Sequence, residues 1–350
     1  MWCIHGIFTA VATALVSLVP SSPPNAAERP PVLVREEFMI NAADPGIKLY
    51  VVNKHLTNLR ELSSEKILLF VHGATQPAEA TFDLSLDGMS WMDYIARHDW
   101  DVYLVDVRGY GRSTRPAEMD QPAESNPAVV RTDVAIRDVA SAVDFILQRR
   151  GSTKINLIGW SWGTVITAAY AAEHADKVAR LVLYGPQWLE SSPATSSPPL
   201  GAYVAAPMHL ARERMQIGAP DSRKHDLMPA GWFEAWSTAA LATDQVGSRQ
   251  NPPVLRSPAG VFQDRQEFWR QGKPYYDPQR ITAPTLIAVA EWDRATPIEG
   301  AQELFRQLPS GPGKRLVEVG EGTHLLMLEK NRMQLFEEIQ HFLDKASGPN

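Results

Sequence analysis

The sequence has very little cysteine, since Cys3 is the only one among its 350 residues. A single cysteine can form neither an intramolecular disulfide nor a cysteine-based metal site. The chain also lacks other metal-ligand motifs and the glycine pattern of dinucleotide-binding units, so we expect no metal and no cofactor. An ordinary hydrophobic core must therefore stabilise the fold, and 44% of the residues are hydrophobic.

Blocks of like charge are also missing. The 34 Lys and Arg residues are outnumbered by 40 Asp and Glu residues, which gives a net charge of -6. This balance argues against a phosphate-binding surface, so nucleic acid is not an expected partner. A small molecule is the expected partner, and the sequence does not indicate an oligomeric state.

The N-terminal residues resemble a secretory signal peptide. An apolar run covers residues 4–19, prolines follow within 20–24, and the small residues of 25–27 offer a cleavage site, although no Lys or Arg precedes the run. We therefore predict a signal peptide over residues 1–27 and export to the periplasm or medium after cleavage. An uncleaved membrane anchor and a start codon assigned too early are the alternatives. The run is too short for a comfortable membrane span, so stable insertion is not expected.

From about residue 32, short apolar runs alternate with helical patterns. The runs of strand length cover residues 32–38, 47–54, 67–71, 102–105, 155–158, 181–184, 286–290 and 315–319. The helical patterns cover residues 132–150, 162–174, 297–308 and 333–345. A turn signal at 44–46 joins the first two strands. The alternation predicts a doubly wound, mostly parallel α/β sheet, in which ligands bind beyond the C-terminal ends of the strands.

Residues 187–280 interrupt this alternation. The segment begins with a stretch rich in Ser and Pro at 191–199 and then carries many aromatic residues. Disordered segments are poor in aromatics, and a structureless loop of this length is improbable in a compact domain. We therefore predict a mainly helical cap inserted into a core made of residues 28–186 and 281–350. A disordered insertion is the alternative.

A nucleophile motif follows the strand at 155–158. The sequence Gly-Trp-Ser-Trp-Gly, residues 159–163, has the G-x-S-x-G pattern and opens a predicted helix. A serine on such a tight strand–turn–helix is lifted into the cleft, and glycines are needed where side chains would collide. Ser161 is therefore the predicted nucleophile.

A serine hydroxyl needs an adjacent base, and after such an elbow the acid and then the histidine follow in chain order. His324 is the one downstream histidine in a loop directly after a predicted strand, so it is the predicted base. Asp293 follows the strand at 286–290 and is the predicted acid, with Glu291 as the runner-up. Asp106 also ends a strand but precedes the serine, so we expect it to pair with Arg108 or to cap the turn at 109–111.

The oxyanion donors are predicted from two loops. The helix N-terminus after the elbow supplies the N–H of Trp162, and the loop at His72-Gly73 supplies the N–H of Ala74. His72 itself is expected to brace that loop rather than to transfer protons.

Tryptophans near the serine suggest an apolar pocket. Trp160 and Trp188 are the predicted substrate-binding residues, although core packing is the alternative for both. Arg212 and Arg214 could hold a substrate carboxylate, but solvated surface charges are the preferred interpretation.

Together these residues resemble the α/β-hydrolase superfamily. The matching signals are the His72-Gly73 loop, the segment Asp-Val-Arg-Gly-Tyr-Gly-Arg-Ser at 106–113, the elbow, Asp293 and His324. The resemblance spans roughly residues 65 to 330 and implies a capped serine hydrolase. Haloalkane dehalogenases and epoxide hydrolases use Asp as nucleophile, so Ser161 argues against both.

Prolyl iminopeptidases have a similar elbow, including Trp162-Gly163-Thr164, but also a His-Gly-Gly-Pro-Gly loop. Residues 72–76 read His-Gly-Ala-Thr-Gln instead. We therefore expect a hydrolase acting on a carboxylic ester or lactone with an apolar part. An iminopeptidase-like aminopeptidase and a C–C bond hydrolase are the alternatives. A non-catalytic binding protein is disfavoured because no member of the triad is missing.

Overall fold

A mixed sheet of eight strands forms the centre of the fold in the residues that a computed structural model describes. The described residues are 1–2, 31–57, 64–190, 198–311 and 313–345. The strands in these ranges are β1 Leu33–Asn41, β2 Lys48–Leu56, β3 Ile67–Val71, β4 Asp101–Val105, β5 Ile155–Trp160, β6 Val178–Tyr184, β7 Tyr203–Pro207, β8 Val254–Pro258, β9 Thr285–Ala290 and β10 Arg315–Val319. The α-helices of the described residues are α1 Ala78–Phe82, α2 Trp91–Ala96, α3 Thr132–Arg150, α4 Trp162–Glu173, α5 Ala211–Met215, α6 Asp221–Lys224, α7 Trp232–Leu241, α8 Gly260–Glu267, α9 Ile298–Gln307 and α10 Arg332–Asp344.

The strand order in the central sheet is β1-β2-β4-β3-β5-β6-β9-β10. Strand β2 runs antiparallel to β1 and β4, and all the other neighbours are parallel. Every predicted run of strand length lies in this sheet, so the predicted α/β fold class is confirmed. The four predicted helices are present as α3, α4, α9 and α10. The short helices α1 and α2 carry too few turns for a helical period to show in the sequence.

Alternating side chains of each inner strand enter two separate cores. In β3, Leu68 and Phe70 pack with residues of α1, α2 and α10, whereas Leu69 and Val71 pack with residues of α3, α4 and α9. All five residues of β3 are fully buried because helices cover both faces of the sheet. This burial explains why the sequence of the strand is continuously apolar.

The predicted cap combines short helices with a β-ribbon. Helices α5 to α8 lie in it, as predicted, but β7 and β8 pair antiparallel and form a two-stranded ribbon that the sequence did not reveal. A buried ion pair between Asp244 and Arg256 lies in the cap, and Arg256 also donates to the Met119 carbonyl of the core. Residues 198–280 are thus built into the fold, and the alternative of a disordered insertion is wrong for this part.

Residues Val32–Asn350 form one compact unit, so the cap is not a separate body. The predicted signal peptide lies outside the described residues, apart from Met1 and Trp2. Within the described ranges, no helix combines the length and the apolar character needed to cross a membrane.

Candidate active site

Ser161 lies on a strained turn between β5 and α4. Its backbone has φ 55° and ψ -122°, a conformation that side-chain-bearing residues rarely adopt. A Cβ atom on Gly159 would lie 2.3 Å from the carbonyl oxygen of Gly163, and one on Gly163 would lie 2.3 Å from that of Val71. The two glycines of the motif are therefore required by packing. The Ser161 N–H donates to the Tyr184 carbonyl at 3.0 Å, which fixes the turn on β6.

Asp293 and His324 are hydrogen-bonded at the C-terminal edge of the sheet. His324 Nδ1 lies 2.7 Å from Asp293 Oδ2, with Asp293 almost fully buried in the loop after β9. Asp293 also accepts from the hydroxyl of Thr296 at 2.7 Å and from the N–H groups of Ala295 and Thr296 at 2.9 and 2.8 Å. Burial raises the pKa of Asp293, but the charge on His324 and these hydrogen bonds outweigh it, so its pKa lies below the ordinary value.

Two buried side chains hold the backbone of His324 by hydrogen bonds. Its carbonyl accepts from Trp160 Nε1 at 3.0 Å and from the Tyr184 hydroxyl at 3.2 Å. The imidazole ring centroid lies 5.1 Å from that of the Trp160 indole. Because Nδ1 faces Asp293, Nε2 is the ring nitrogen left for proton exchange in the cavity.

One cavity contains both Ser161 and His324. It has a volume of about 790 Å³ and lies between the sheet edge and the cap. Its walls are largely apolar and come mainly from the cap, including Val204, Met208, Met215, Trp236, Leu255 and Phe262. Such a lining fits an apolar substrate with few polar groups.

The predicted oxyanion donors flank the serine. A Cβ atom on Gly73 would lie 2.7 Å from Ser161 Cβ, so the loop that carries Ala74 runs directly against the nucleophile. Ala74 lines the cavity, and Trp162 is the first residue of α4. Among the described residues, neither the Ala74 N–H nor the Trp162 N–H donates to a protein acceptor. Both are available for an oxyanion.

His72 braces the same loop. Its Nδ1 lies 2.7 Å from the Gly73 carbonyl, and its Nε2 accepts from the Val107 N–H at 3.1 Å. Complete burial lowers the pKa of His72 to about 4, so the ring is neutral and both nitrogens are occupied. This arrangement confirms the structural role expected for His72.

Asp106 closes the turn but does not pair with Arg108. Its carboxylate accepts from the N–H groups of Ala78 and Arg112 at 2.8 and 3.0 Å. The expected capping of the turn at 109–111 is therefore confirmed. Pairing with Arg108 is wrong, because that guanidinium binds Asp138 and Asp44.

Trp188 requires a correction. The structure places it in the core against the ring of Tyr276, at a centroid distance of 5.4 Å, and outside the cavity lining. Core packing, the alternative for both tryptophans, describes Trp188 better than substrate binding. Trp160 does line the cavity, although its indole also packs in the core and donates a hydrogen bond to the His324 carbonyl. Glu291 accepts from the Glu321 N–H and does not contact His324, so it does not replace Asp293.

Two polar residues that support Asp293 and the His324 loop were not identified from the sequence. Thr296 supports Asp293, and Glu329 is a buried carboxylate that accepts from the N–H and hydroxyl of Thr323, the residue before His324. Thr296 follows Asp293 by three residues, which is the spacing of a local side-chain turn. This spacing is the only signal in the sequence from which the contact could have been proposed. Glu329 resembles a surface glutamate in the sequence. Across the described residues, no group of His, Cys, Asp and Glu has the arrangement of a metal site.

The sheet, the strand–turn–helix at Ser161 and the covering cap define a protein of the hydrolase class. A family model described as alpha/beta hydrolase fold matches residues 66–331, and the chain belongs to that family. A curated relative is the proline iminopeptidase of Xylella fastidiosa (strain 9a5c), which is 27% identical over 244 residues, or 61% of this chain and 72% of that protein.

Solved structures show the same fold at low identity. A serine hydrolase involved in carbazole degradation (CarC) has a TM-score of 0.61 at 16% identity, covering 89% of this chain and 99% of that one. A thermophilic esterase from Thermogutta terrifontis has a TM-score of 0.55 at 18% identity, covering 88% of this chain and 98% of that one. These likenesses extend to the fold alone.

Proposed function

We propose that the protein hydrolyses a carboxylic ester or lactone with an apolar moiety through an acyl-enzyme on Ser161. The observation that carries the proposal is the hydrogen bond between His324 and the buried Asp293, on a histidine that shares an apolar cavity with the elbow serine. Ser161 is the nucleophile, His324 the general base and Asp293 the group that orients the imidazole.

In the first step the Ser161 hydroxyl attacks the substrate carbonyl carbon while His324 Nε2 takes its proton. The N–H groups of Ala74 and Trp162 bind the oxyanion of the tetrahedral intermediate. His324 then protonates the leaving alcohol, which departs and leaves the acyl group on the serine oxygen. A water activated by His324 attacks the acyl carbon, and the free acid is released with regeneration of the hydroxyl.

The acidic residues of the cap favour an ester over a peptide with a free N-terminal amine. Asp244 pairs with Arg256, and Asp264 and Glu267 both pair with Arg131. No Asp or Glu lines the cavity among the residues that the structure describes. An aminopeptidase needs a carboxylate to hold the substrate amine, so this cavity lacks the group on which such recognition depends.

The iminopeptidase reading still has the elbow and the Xylella relative in its favour. The purified protein should therefore be assayed on p-nitrophenyl acetate, butyrate and octanoate beside proline p-nitroanilide. We expect ester turnover that is lost in Ser161→Ala, with no prolyl amide turnover above the same variant. Prolyl amide hydrolysis with a kcat/KM above that of every ester would replace the esterase assignment by the peptidase one.

A further inference from the structure

The cavity at Ser161 is bordered by arginines. Among the described residues, four arginines line it, namely Arg214, Arg265, Arg270 and Arg294. Two of them, Arg265 and Arg270, share one carboxylate, that of Glu190, which is not itself part of the cavity wall. Because the described lining contains no carboxylate, the border of this apolar cavity carries an excess of positive charge.

Arg214 and Arg294 form no ion pair with an acidic residue within the described part of the chain, unlike Arg212, Arg265 and Arg270. Arg214 Nη2 donates to the Pro207 carbonyl at 2.9 Å, which fixes the side chain but leaves its charge unpaired. The stem of Arg294 lies against the cap, since a Cβ atom on Gly218 would be 2.7 Å from Arg294 Cγ. Both arginines are solvent-exposed residues at the border of the cavity, so their remaining N–H groups are accessible to a ligand there.

Arg212 offers a contrast on the same helix. It binds Glu234 at 2.6 Å and its guanidinium lies 4.2 Å from the ring centroid of Phe233, outside the cavity lining. The cap therefore neutralises Arg212, which is not part of the cavity lining, and leaves Arg214, two residues later, without an ion pair. The guanidinium fork matches a carboxylate with two parallel hydrogen bonds, and a cleft with apolar walls strengthens its attraction for an anion.

We propose that Arg214 and Arg294 form an anion subsite that binds a carboxylate carried by the ester substrate away from its scissile carbonyl. This inference rests on the proposed function, which it narrows to esters with a free carboxylate, such as a hemiester of a dicarboxylic acid. The apolar wall then holds the chain between the carboxylate and the ester group. The carboxylate lies on either the acyl or the alcohol part, and the two placements are separated by experiment.

The test compares substrates that differ only in charge. Mono-p-nitrophenyl glutarate and its methyl ester place the charge on the acyl part, and 4-acetoxybenzoate and its methyl ester place it on the alcohol part. We expect kcat/KM for the charged member of one pair to exceed that of the neutral member by roughly tenfold at low salt, since one charge-assisted hydrogen bond has about this effect. The ratio should fall severalfold in Arg214→Gln and in Arg294→Gln, and reach about one in the double variant. Arg212→Gln is the matched control and should keep the wild-type ratio.

Glutarate binding measured by calorimetry, which needs no turnover, separates the two proposals. Binding by the wild type that is lost in the double variant supports the subsite, even if no ester is hydrolysed and the esterase assignment fails. Ester hydrolysis with equal rates for charged and neutral members, or with a ratio that the double variant leaves unchanged, overturns the subsite and leaves the esterase assignment intact. Absence of glutarate binding in the wild type also counts against the subsite.

Discussion

The indole of Trp160 donates a hydrogen bond to the backbone carbonyl of His324 over 3.0 Å. Trp160 directly precedes Ser161, the proposed nucleophile, and its hydrogen bond holds the backbone of His324, the proposed base. The bond therefore joins β5 to the loop after β10. Tyr184 on β6 donates to the same carbonyl at 3.2 Å. The position of the imidazole therefore depends on two buried donors that lie beneath the site.

Replacing Trp160 by Phe should lower kcat about fivefold, because a neutral hydrogen bond contributes ~1 kcal/mol to holding the His324 loop. Trp160 also lines the cavity, so KM can change in this variant. Tyr184→Phe removes the other donor from a residue outside the cavity lining and should lower kcat with KM unchanged. Steady-state kinetics on p-nitrophenyl butyrate measures both, and an unaltered kcat in both variants would show that these bonds do not position the base.

Thr296 should tune the acidic limb of the pH profile. Its hydroxyl donates to Asp293 Oδ2 at 2.7 Å and helps keep the pKa of that carboxyl below its ordinary value. In Thr296→Val the pKa of Asp293 rises, so the loss of kcat/KM on acidification should begin at a higher pH. We expect kcat/KM at pH 7 to fall roughly tenfold, as is typical when a hydrogen bond to a charged group is removed. Thr296→Ser keeps the hydroxyl and should restore the wild-type profile; the same shift in Ser and Val would refute this role.

Glu329 should make stability depend on pH. Burial raises its pKa to about 7, although the hydrogen bonds from Thr323 oppose the shift. Between about pH 4.5 and 7 the folded protein therefore binds more protons at this site than the unfolded chain. The stability that the protonated carboxyl contributes is complete below this range and is lost as the pH rises through about 7.

Glu329→Gln cannot ionise, so its free energy of unfolding should decline less than that of the wild type between pH 5 and 8. The difference in decline should be on the order of 2–3 kcal/mol, because the interval from pH 5 to the folded-state pKa of about 7 spans about two pH units at roughly 1.4 kcal/mol each. Urea unfolding at pH 5, 6, 7 and 8 measures it, with Glu338→Gln on the exposed side of α10 as the control. Parallel curves for the wild type and Glu329→Gln would mean that Glu329 stays ionised in the fold.

Gly163 should tolerate no side chain. A Cβ atom there would lie 2.3 Å from the Val71 carbonyl oxygen, which is backbone and cannot rotate away. Gly163→Ala should therefore destabilise the protein by about 1–3 kcal/mol through overpacking. Gly300→Ala is the control, because its nearest neighbour would be Trp188 Cβ at 3.8 Å and alanine favours the helix by up to ~1 kcal/mol. In thermal unfolding, the melting temperature should fall in Gly163→Ala and rise slightly in Gly300→Ala. Equal melting temperatures would show that a Cβ atom at position 163 causes no overpacking.

Much of the fold could be predicted because each central strand leaves its own record in the sequence. Residues 67–71 are continuously apolar because helices cover both sides of β3. Gly159 and Gly163 stand where neighbouring backbone leaves no room for a Cβ atom. The elbow, Asp293 and His324 could be proposed because each follows a strand end. The ribbon of β7 and β8 was missed because its strands lie about 50 residues apart and show no alternation of apolar and polar residues.

The remaining parts of the site depend on contacts between distant segments. A glutamate such as Glu329 becomes buried only when α10 and the His324 loop are in place, and no local pattern records that event. Trp188 was assigned to the pocket from its residue type, but packing against Tyr276 decides its position. Arg214 was interpreted as a surface charge, and the other three arginines of the cavity were not singled out, because the sequence does not show which arginines border the cavity or lack a partner.

Covalent labelling by a fluorophosphonate measures most directly whether the Ser161 hydroxyl is the activated nucleophile. The wild type should gain the mass of one phosphonyl group, and peptide mapping should place it on the peptide that contains Ser161. Ser161→Ala should gain none while keeping the wild-type circular dichroism spectrum, and Asp293→Asn should react much more slowly because its histidine is no longer held in the correct tautomer. Undiminished labelling of Ser161→Ala, or an adduct mapped to another residue of the wild type, would show that Ser161 is not the nucleophile.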